Sequence, residues 1–447
     1  MDKKKFFKKD RINIIGGGLA GVEAARQITS FGINVSLFEM KPVRYSEAHK
    51  SENLAELVCS NSLKSNSIEN AGGILKEEMR LLNSLVIEAA DNTSVPAGKA
   101  LAVDRNLFTE YITERIEKNS KVELRREVYS DIENDVINLI ATGPLTSEEL
   151  VNNIMKMTGQ KNLYFYDSIS PIINSDSIDY SKVFRASRYE NEVEGDYINC
   201  PFSKEQYYAL VNEIIKAEKV ELHEFEDTGY FESCMPIEVM CERGIETLRF
   251  GPMKPVGLTD PKTGKIPFAV VQLRMENNRA TMYNIVGFQT KLTYPEQRRI
   301  FRMIPGLENA EFFRYGSIHR NTYLRSPGLL NEFIQLESNK NIFFAGQITG
   351  VEGYVESAAT GIIAGINAAM KFLGREMKPV PPESSIGSLI SYISGFSGKN
   401  FQPININFGI YPDLGQKLKK DKKRELIAEK ALDSIMEYKA VLSCLSF

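Results

Sequence analysis

Hydrophobic and polar positions divide this chain into segments of different period. Residues 12–40 open with a short apolar run, turn through glycines, continue at helical spacing and return to a second apolar run ending in Glu39, so a β-α-β start is expected. Residues 41–66 are polar, irregular and dense in Ser and Asn. Apolar residues at helical spacing (Ile74, Leu75, Met79, Leu81, Leu82, Leu85, Val86) predict one helix over 71–90. A further helix is expected over 101–117, and short alternating strands over 121–129 and 135–141. After about residue 185 the chain becomes richer in aromatic and polar residues, with turn signals at Gly251-Pro252, Lys254-Pro255, Asp260-Pro261 and Thr263-Gly264. Strand-like stretches there cover 247–250, 268–274 and 281–288. The apolar strand pattern resumes at 341–346, followed by a small-residue helix from Ser357 to Ala369 and a charged amphipathic helix over 417–440. The expected division is 1–185 for the first part of a nucleotide-binding domain, 186–334 for an inserted α+β domain, and 335–447 for the second part of the first domain.

The opening carries chemistry. Ile15 leads into Gly16-Gly17-Gly18-Leu19-Ala20-Gly21, and Glu39 follows eighteen residues after Gly21. Gly16 permits a tight turn, Gly18 leaves room for a pyrophosphate against the backbone, and Gly21 lets helix and strand approach closely. The helix N-terminus offers N–H groups to phosphate, and Glu39 is placed to hold a ribose hydroxyl. A second glycine-rich strand-to-helix junction, Gly346-Gln347-Ile348-Thr349-Gly350-Val351-Glu352-Gly353-Tyr354, comes more than 300 residues later. One early and one late junction is the layout of an FAD domain, so the expected class is α/β, Rossmann-like and similar to the glutathione-reductase type. A nicotinamide cofactor, NADH or NADPH, is then expected only as a visiting reductant.

Bulk properties narrow the class. At 447 residues the chain is long enough for two or three domains. A net charge of -3 means that any nucleic acid must be held by a local patch. No signal peptide or membrane-spanning run is visible, and five scattered cysteines suit free thiols in a reducing, cytoplasmic setting. The three histidines form no metal-ligand cluster, so no metal is expected.

Longer motifs are more specific. They include Ala55-Glu56-Leu57-Val58-Cys59-Ser60-Asn61-Ser62, Cys234-Met235-Pro236-Ile237-Glu238, Gly251-Pro252-Met253-Lys254-Pro255-Val256-Gly257-Leu258, His319-Arg320-Asn321-Thr322 and the late run Gly346 to Ser357. With these, from about residue 12 to 410, the chain resembles the folate- and FAD-dependent RNA uracil-5-methyltransferase family, earlier grouped with the glucose-inhibited division proteins. The resemblance implies reductive methylation of uracil C5. The carbon comes from 5,10-methylenetetrahydrofolate, the hydride from reduced FAD, and the substrate is a uridine of the tRNA T-loop. One branch of that family, in bacteria with reduced genomes, acts instead on large-subunit (23S) ribosomal RNA. The scarcity of Trp and abundance of Ile, Asn and Lys here keep that branch open.

Uracil C5 becomes nucleophilic only after a thiolate adds at C6, which requires a cysteine with an acid–base partner. The family's two functional cysteines match Cys234, expected as the C6 nucleophile, and Cys59, expected as the helper near the flavin. Cys200 and Cys444 read as small buried hydrophobes, and Cys241 as a rival to Cys234. Gly16, Gly17, Gly18, Leu19, Ala20, Gly21, Glu39, Gly346, Gln347, Gly350, Val351, Gly353 and Tyr354 are the expected cofactor residues, with Glu352 and Glu356 as weaker candidates. His319, Arg320, Asn321, Lys254 and Arg185 are candidates for folate or substrate. Arg185, Arg188, Lys254, Lys291, Arg314 and Arg320 could form a basic rim that meets phosphate. Two other classes fit the opening: an FAD oxidoreductase of a small substrate and a nonenzymatic FAD- or RNA-binding protein. The first lacks a CxxxxC redox pair near the first helix. Monomer and dimer stay equally open.

Overall fold

A computed structural model describes residues 10–159, 163–188, 195–220, 235–398, 401–416 and 418–445. Two bodies with separate apolar cores make up the chain. The first is built on a five-stranded parallel sheet in the order Ile342–Phe344, Asn138–Ile140, Arg11–Ile15, Asn34–Glu39, Val122–Arg126. Arg11–Ile15 is buried along its whole length, as a central strand covered on both faces must be. The late strand at 342–344 joins the far edge of the early sheet, so sequence-distant pieces complete one layer. The helices Leu19–Ser30 and Tyr354–Phe372 pack side by side on it. A Cβ at Gly361 would collide with Ala20, and one at Gly365 would lie 2.8 Å from Ala24 Cα. These glycines thus serve a helix–helix approach rather than contact with the sheet.

The expected helix over 71–90 is two helices, Ala71–Leu81 and Leu85–Asn92. Asn83 turns left-handed at φ +58°, and Ser84 caps the second helix by accepting from Ile87 N. Residues 101–103 continue a short strand, Ala100–Val103, and the helix starts only at Arg105, capped by Asp104. Residues 247–250 form a short helix, not a strand. The tail is a helix over Lys420–Leu445 that buries Ile427, Ala431, Ile435 and Tyr438 on one face.

The second body carries a six-stranded antiparallel sheet in the order Phe184–Arg185, Ile198–Phe202, Ala269–Met275, Met282–Ile285, Ile172–Asn174, Phe312–Arg314. The expected division at 185/186 cuts through this sheet, because Ile172–Asn174 and Phe184–Arg185 are already part of it. A two-stranded ribbon, Leu163–Ser168 paired with Ile318–Tyr323, carries the chain out and back. Antiparallel pairing sets the two crossings side by side, so the insertion begins and ends upstream of the expected limits.

Candidate active site

The early turn is shaped by backbone contacts. Gly16 has φ +104°, and a Cβ there would lie 2.6 Å from the Ala141 carbonyl oxygen. A Cβ at Gly21 would collide with the Gly16 carbonyl oxygen. At Gly18 a Cβ would meet nothing within 4 Å, and no side chain caps this N-terminus of the helix. Unpaired amides, the positive end of a helix dipole and open space together fit a pyrophosphate. Glu39 is buried at the end of its strand; its two oxygens accept from Gly17 N at 3.0 Å and Lys41 N at 2.9 Å. The carboxylate keeps further lone pairs for a ribose hydroxyl. Gly16, Gly17, Gly18 and Glu39 line one pocket with Tyr129, Thr142 and Leu145.

Leu145 also lines a second, larger pocket of about 290 Å³. The late turn forms one of its walls. Gly346, Gly350 and Gly353 all have positive φ, and a Cβ at Gly350 would lie 2.5 Å from the Phe401 ring. Gln347 donates to Glu352 Oε2 at 2.5 Å, and both side chains line the pocket. Val351 is buried, in a bridge with Ile404. Leu19 and Ala20 are buried too, and a Cβ at Gly346 would sit 3.1 Å from Ala20 Cβ, so the two turns touch. One long ligand with a pyrophosphate at the first pocket and a ring system at the second fits this cleft, and FAD has that form. Glu356 lies at the first turn of the late helix, buried, accepting from Lys64 Nζ and Ile406 N at 3.2 Å each. Its second oxygen has no protein partner.

Cys59, partly buried, stands at the other wall. Its backbone N–H donates to Tyr354 Oη at 2.7 Å. Its carbonyl accepts from Arg105 Nη2 at 2.8 Å and from Arg314 Nη2 at 2.9 Å. Arg105 also reaches the Leu57 carbonyl and forms an ion pair with the fully buried Glu276. Arg274 donates to Ser60 Oγ at 2.7 Å and Asn61 Oδ1 at 2.9 Å. Arg105 belongs to the first body; Arg274, Glu276 and Arg314 come from the second. The cysteine loop is therefore held where the bodies meet. Burial draws the Arg105 guanidinium down, but its neighbours, Glu276 foremost, together outweigh it and the net shift is upward. Arg314 is drawn down, first by burial and then by the nearby Arg105. Burial, and then Cys59, push the Tyr354 phenol up, so it stays protonated.

The profile of the family described as glucose inhibited division protein A matches residues 11–376. The chain belongs to this family. Among its relatives, the methylenetetrahydrofolate–tRNA-(uracil-5-)-methyltransferase TrmFO of Syntrophus aciditrophicus (strain SB) is 56% identical over 98% of this chain and 99% of its own. The protein of the same name from Enterococcus faecalis (strain ATCC 700802 / V583) is 54% identical over 95% and 97%. The solved structure of Aquifex aeolicus GidA in its form I crystal superposes with a TM-score of 0.71 at 18% identity, covering 97% of this chain and 76% of that one. That likeness establishes the shared fold.

In this member of the division-protein family, Cys59, Asn321, Gln347, Gly353 and Tyr354 line one pocket. Other expected residues lie apart from it. Arg185 is exposed and donates to Tyr283 Oη at 3.1 Å, and Lys254 is exposed on a loop; neither lines the cleft. Arg314 is not on a basic rim, since its guanidinium serves the carbonyls of Val58 and Cys59. His319 and Arg320 lie on the ribbon, opposite 167 and 166, and their side chains are outside the described residues. Cys234 also lies outside them. The described chain resumes at Met235, and Ile237 N donates to the carbonyl of Gln289, a pocket residue, at 2.8 Å. Cys241 is buried with its thiol pushed up to about 12 by burial, which removes it as a thiolate at neutral pH. Cys200 is buried as expected, but Cys444 is exposed, on the outer face of the tail helix.

Sequence reasoning missed Arg105, Arg274 and Glu276. A charged residue within an apolar strand run, such as Arg274 in Ala269–Met275, was the available signal. Among the described residues no group of His, Cys, Asp and Glu could hold a metal ion, and no helix is long and apolar enough to cross a membrane.

Proposed function

We propose that this protein methylates C5 of a uridine in tRNA, with 5,10-methylenetetrahydrofolate as carbon donor, FAD as resident cofactor and NADH or NADPH as reductant. The observation that carries the reading is Cys59, held by both bodies at a pocket joined to the nucleotide cradle. The family and the names of relatives at 52–56% identity supply the substrate class. Reduced FAD, when bound, supplies the hydride that completes the methyl group. The protein's own groups do the rest. Gly16, Gly17, Gly18, Leu19, Ala20, Gly21 and Glu39 hold the nucleotide part of the cofactor; Gln347, Gly353 and Tyr354 line its ring end, and Gly346, Gly350 and Val351 shape the turn behind them.

The Cys234 thiolate adds to uracil C6, and the electron pair released at C5 attacks the donor's methylene carbon, breaking its bond to one folate nitrogen. Cys59 assists at C5, where the proton leaves as the second carbon–nitrogen bond breaks and releases tetrahydrofolate; arrival of the hydride at that carbon then lets the Cys234 thiolate be eliminated. Arg105, Arg314 and Tyr354 fix the Cys59 backbone without consuming its thiol. Asn321, buried on the pocket wall, offers an amide to the uracil or pterin edge. The target base must leave its stack to enter.

The test is methylation in vitro by FAD-loaded protein with NADPH or NADH and the folate donor. Total tRNA and large-subunit rRNA are supplied separately, and 5-methyluridine is mapped by mass spectrometry. A folate-dependent product on tRNA is expected. It should be lost in Cys234→Ala and reduced at least ~100-fold in Cys59→Ser. Product on rRNA alone transfers the proposal to that substrate, and product on neither overturns it.

A further inference from the structure

Not all aromatic rings of the second body are in its core. Tyr294, at the start of the helix Tyr294–Phe301, is 58% exposed. Its ring stacks on that of Tyr315 at 4.9 Å and 21°. Tyr315 stacks in turn on Phe312 at 5.0 Å and 19°. Three near-parallel rings thus form a ladder anchored on a strand of the sheet, with its outer ring in solvent. Arg298, exposed one turn along the helix, donates from Nε and Nη2 to Tyr315 Oη at 3.0 and 2.8 Å. These bonds fix the middle ring in place.

The ladder lies beside the pocket. Tyr315 follows Arg314, which holds the Cys59 carbonyl, and precedes Gly316. A Cβ at Gly316 would lie 2.5 Å from Thr290 Cγ2 and 2.6 Å from the Ile169 carbonyl oxygen. Ile169 and Gln289, the neighbour of Thr290, both line the pocket. Only the width of one chain separates the ladder's backbone from the pocket wall.

We propose that the Tyr294–Tyr315 ladder, with Arg298 at its edge, is a stacking platform for an unpaired base of the RNA, next to the uridine that enters the pocket. The inference rests on the RNA reading above. Drawing one base out of a stack exposes the faces of its neighbours. A rigid, exposed aromatic face receives such a base whatever its identity, because every base has a π-face. A chain with net charge -3 lacks a global field for a polyanion, so a contact that does not depend on salt is valuable here. The arginine adds a positive charge where the adjoining phosphate would lie.

The test is fluorescence anisotropy with a labelled tRNA transcript, titrated with full-length FAD-loaded protein at two salt concentrations. Wild type is compared with Tyr294→Ala and Tyr294→Phe. Tyr294→Ala is expected to raise Kd about 5- to 100-fold. Its slope of log Kd against log salt should match wild type, because no phosphate contact is lost. Tyr294→Phe should bind as wild type does. Flavin content and melting temperature report whether the exposed substitution disturbs the fold. Wild-type affinity in Tyr294→Ala overturns the platform, as does a loss that Tyr294→Phe shares. Failure of the wild-type protein to bind tRNA overturns the RNA reading itself, and the platform with it.

Discussion

The two ends of the cleft are built in opposite ways. At the nucleotide end the surface is backbone: the uncapped helix start after Gly18 presents amides, and Glu39 is fastened to Gly17 and Lys41. The glycine turn and Glu39 come from one β-α-β segment. At the thiol end the surface is held by side chains from remote places. Cys59 is tied to Arg105, Arg314 and Tyr354, separated from it by 46, 255 and 295 residues. A backbone cradle forms when its own segment folds. The thiol loop reaches its geometry only after both bodies have docked. Cofactor binding and methyl transfer should therefore be separable by mutation.

The largest effect is expected at the thiol end. Arg105→Ala leaves Glu276 charged, buried and without its partner, at a cost of about 3–5 kcal/mol. Replacing both partners by methionine should recover most of that stability, since an apolar pair of similar volume is close to neutral in such sites. It should not recover methyl transfer, because the Leu57 carbonyl still lacks its Arg105 donor and the Cys59 carbonyl keeps only Arg314 of its two. Chemical denaturation and methylation assays on both variants decide this. Full activity in the double variant would make Arg105 a structural residue only.

At the nucleotide end, Gly21→Val forces side-chain atoms into the Gly16 carbonyl, a backbone group that cannot step aside. A loss of about 3 kcal/mol is expected, together with loss of flavin absorbance from the purified protein. Flavin-loaded Gly21→Val protein of normal stability would show that the turn is not the cradle.

Tyr354→Phe probes the joint between the two ends. It removes the acceptor for the Cys59 N–H and keeps the ring on the late helix. The cost should be about 1–3 kcal/mol if the amide stays buried. Methyl transfer should fall while flavin content holds, and alkylation of Cys59 should change rate. Equal loss of flavin and activity would instead assign Tyr354 to cofactor binding alone.

The same contrast explains what the sequence made legible. The turn at Gly16–Gly21 and the late turn at Gly346–Gly353 are local, so glycine spacing after an apolar run exposes them. Cys59 was marked by the family resemblance, with which its polar neighbours Ser60, Asn61 and Ser62 agree. Arg314 was misplaced on a basic rim because charge alone does not reveal that burial turns it toward a carbonyl. Asn83 broke an expected helix through one left-handed residue, which helical periodicity does not register. The first crossing into the second body was set too late because Ile172–Asn174 is three residues long and gains strand character only from its partners Met282–Asn284 and Phe312–Arg314.

The smallest expected effect concerns charge in the frame behind the nucleotide end. Arginines crowd the thiol end, whereas this frame buries carboxylates at helix starts. Glu78 accepts from Ser385 N at 2.6 Å and Ile386 N at 3.0 Å, and Glu23 from Leu85 N at 3.1 Å and Val86 N at 2.9 Å. Burial pushes these carboxyls up, to about 8 for Glu78 and about 7 for Glu23, and the hydrogen bonds offset only part of that. Folded protein thus keeps protons that the unfolded chain has released above its ordinary carboxylate range. The stability this contributes is complete below about pH 4.5 and is lost as pH rises through about 7 and then 8. Glu78→Gln removes one titration while leaving an amide oxygen to accept at the helix start. Its melting temperature should fall less than that of wild type as pH rises between about 4.5 and 8, by the equivalent of on the order of 1 kcal/mol for each pH unit. Parallel curves for the two proteins would mean that the helix start holds Glu78 ionised throughout, and the frame would then resemble the thiol end in keeping its buried charges fixed.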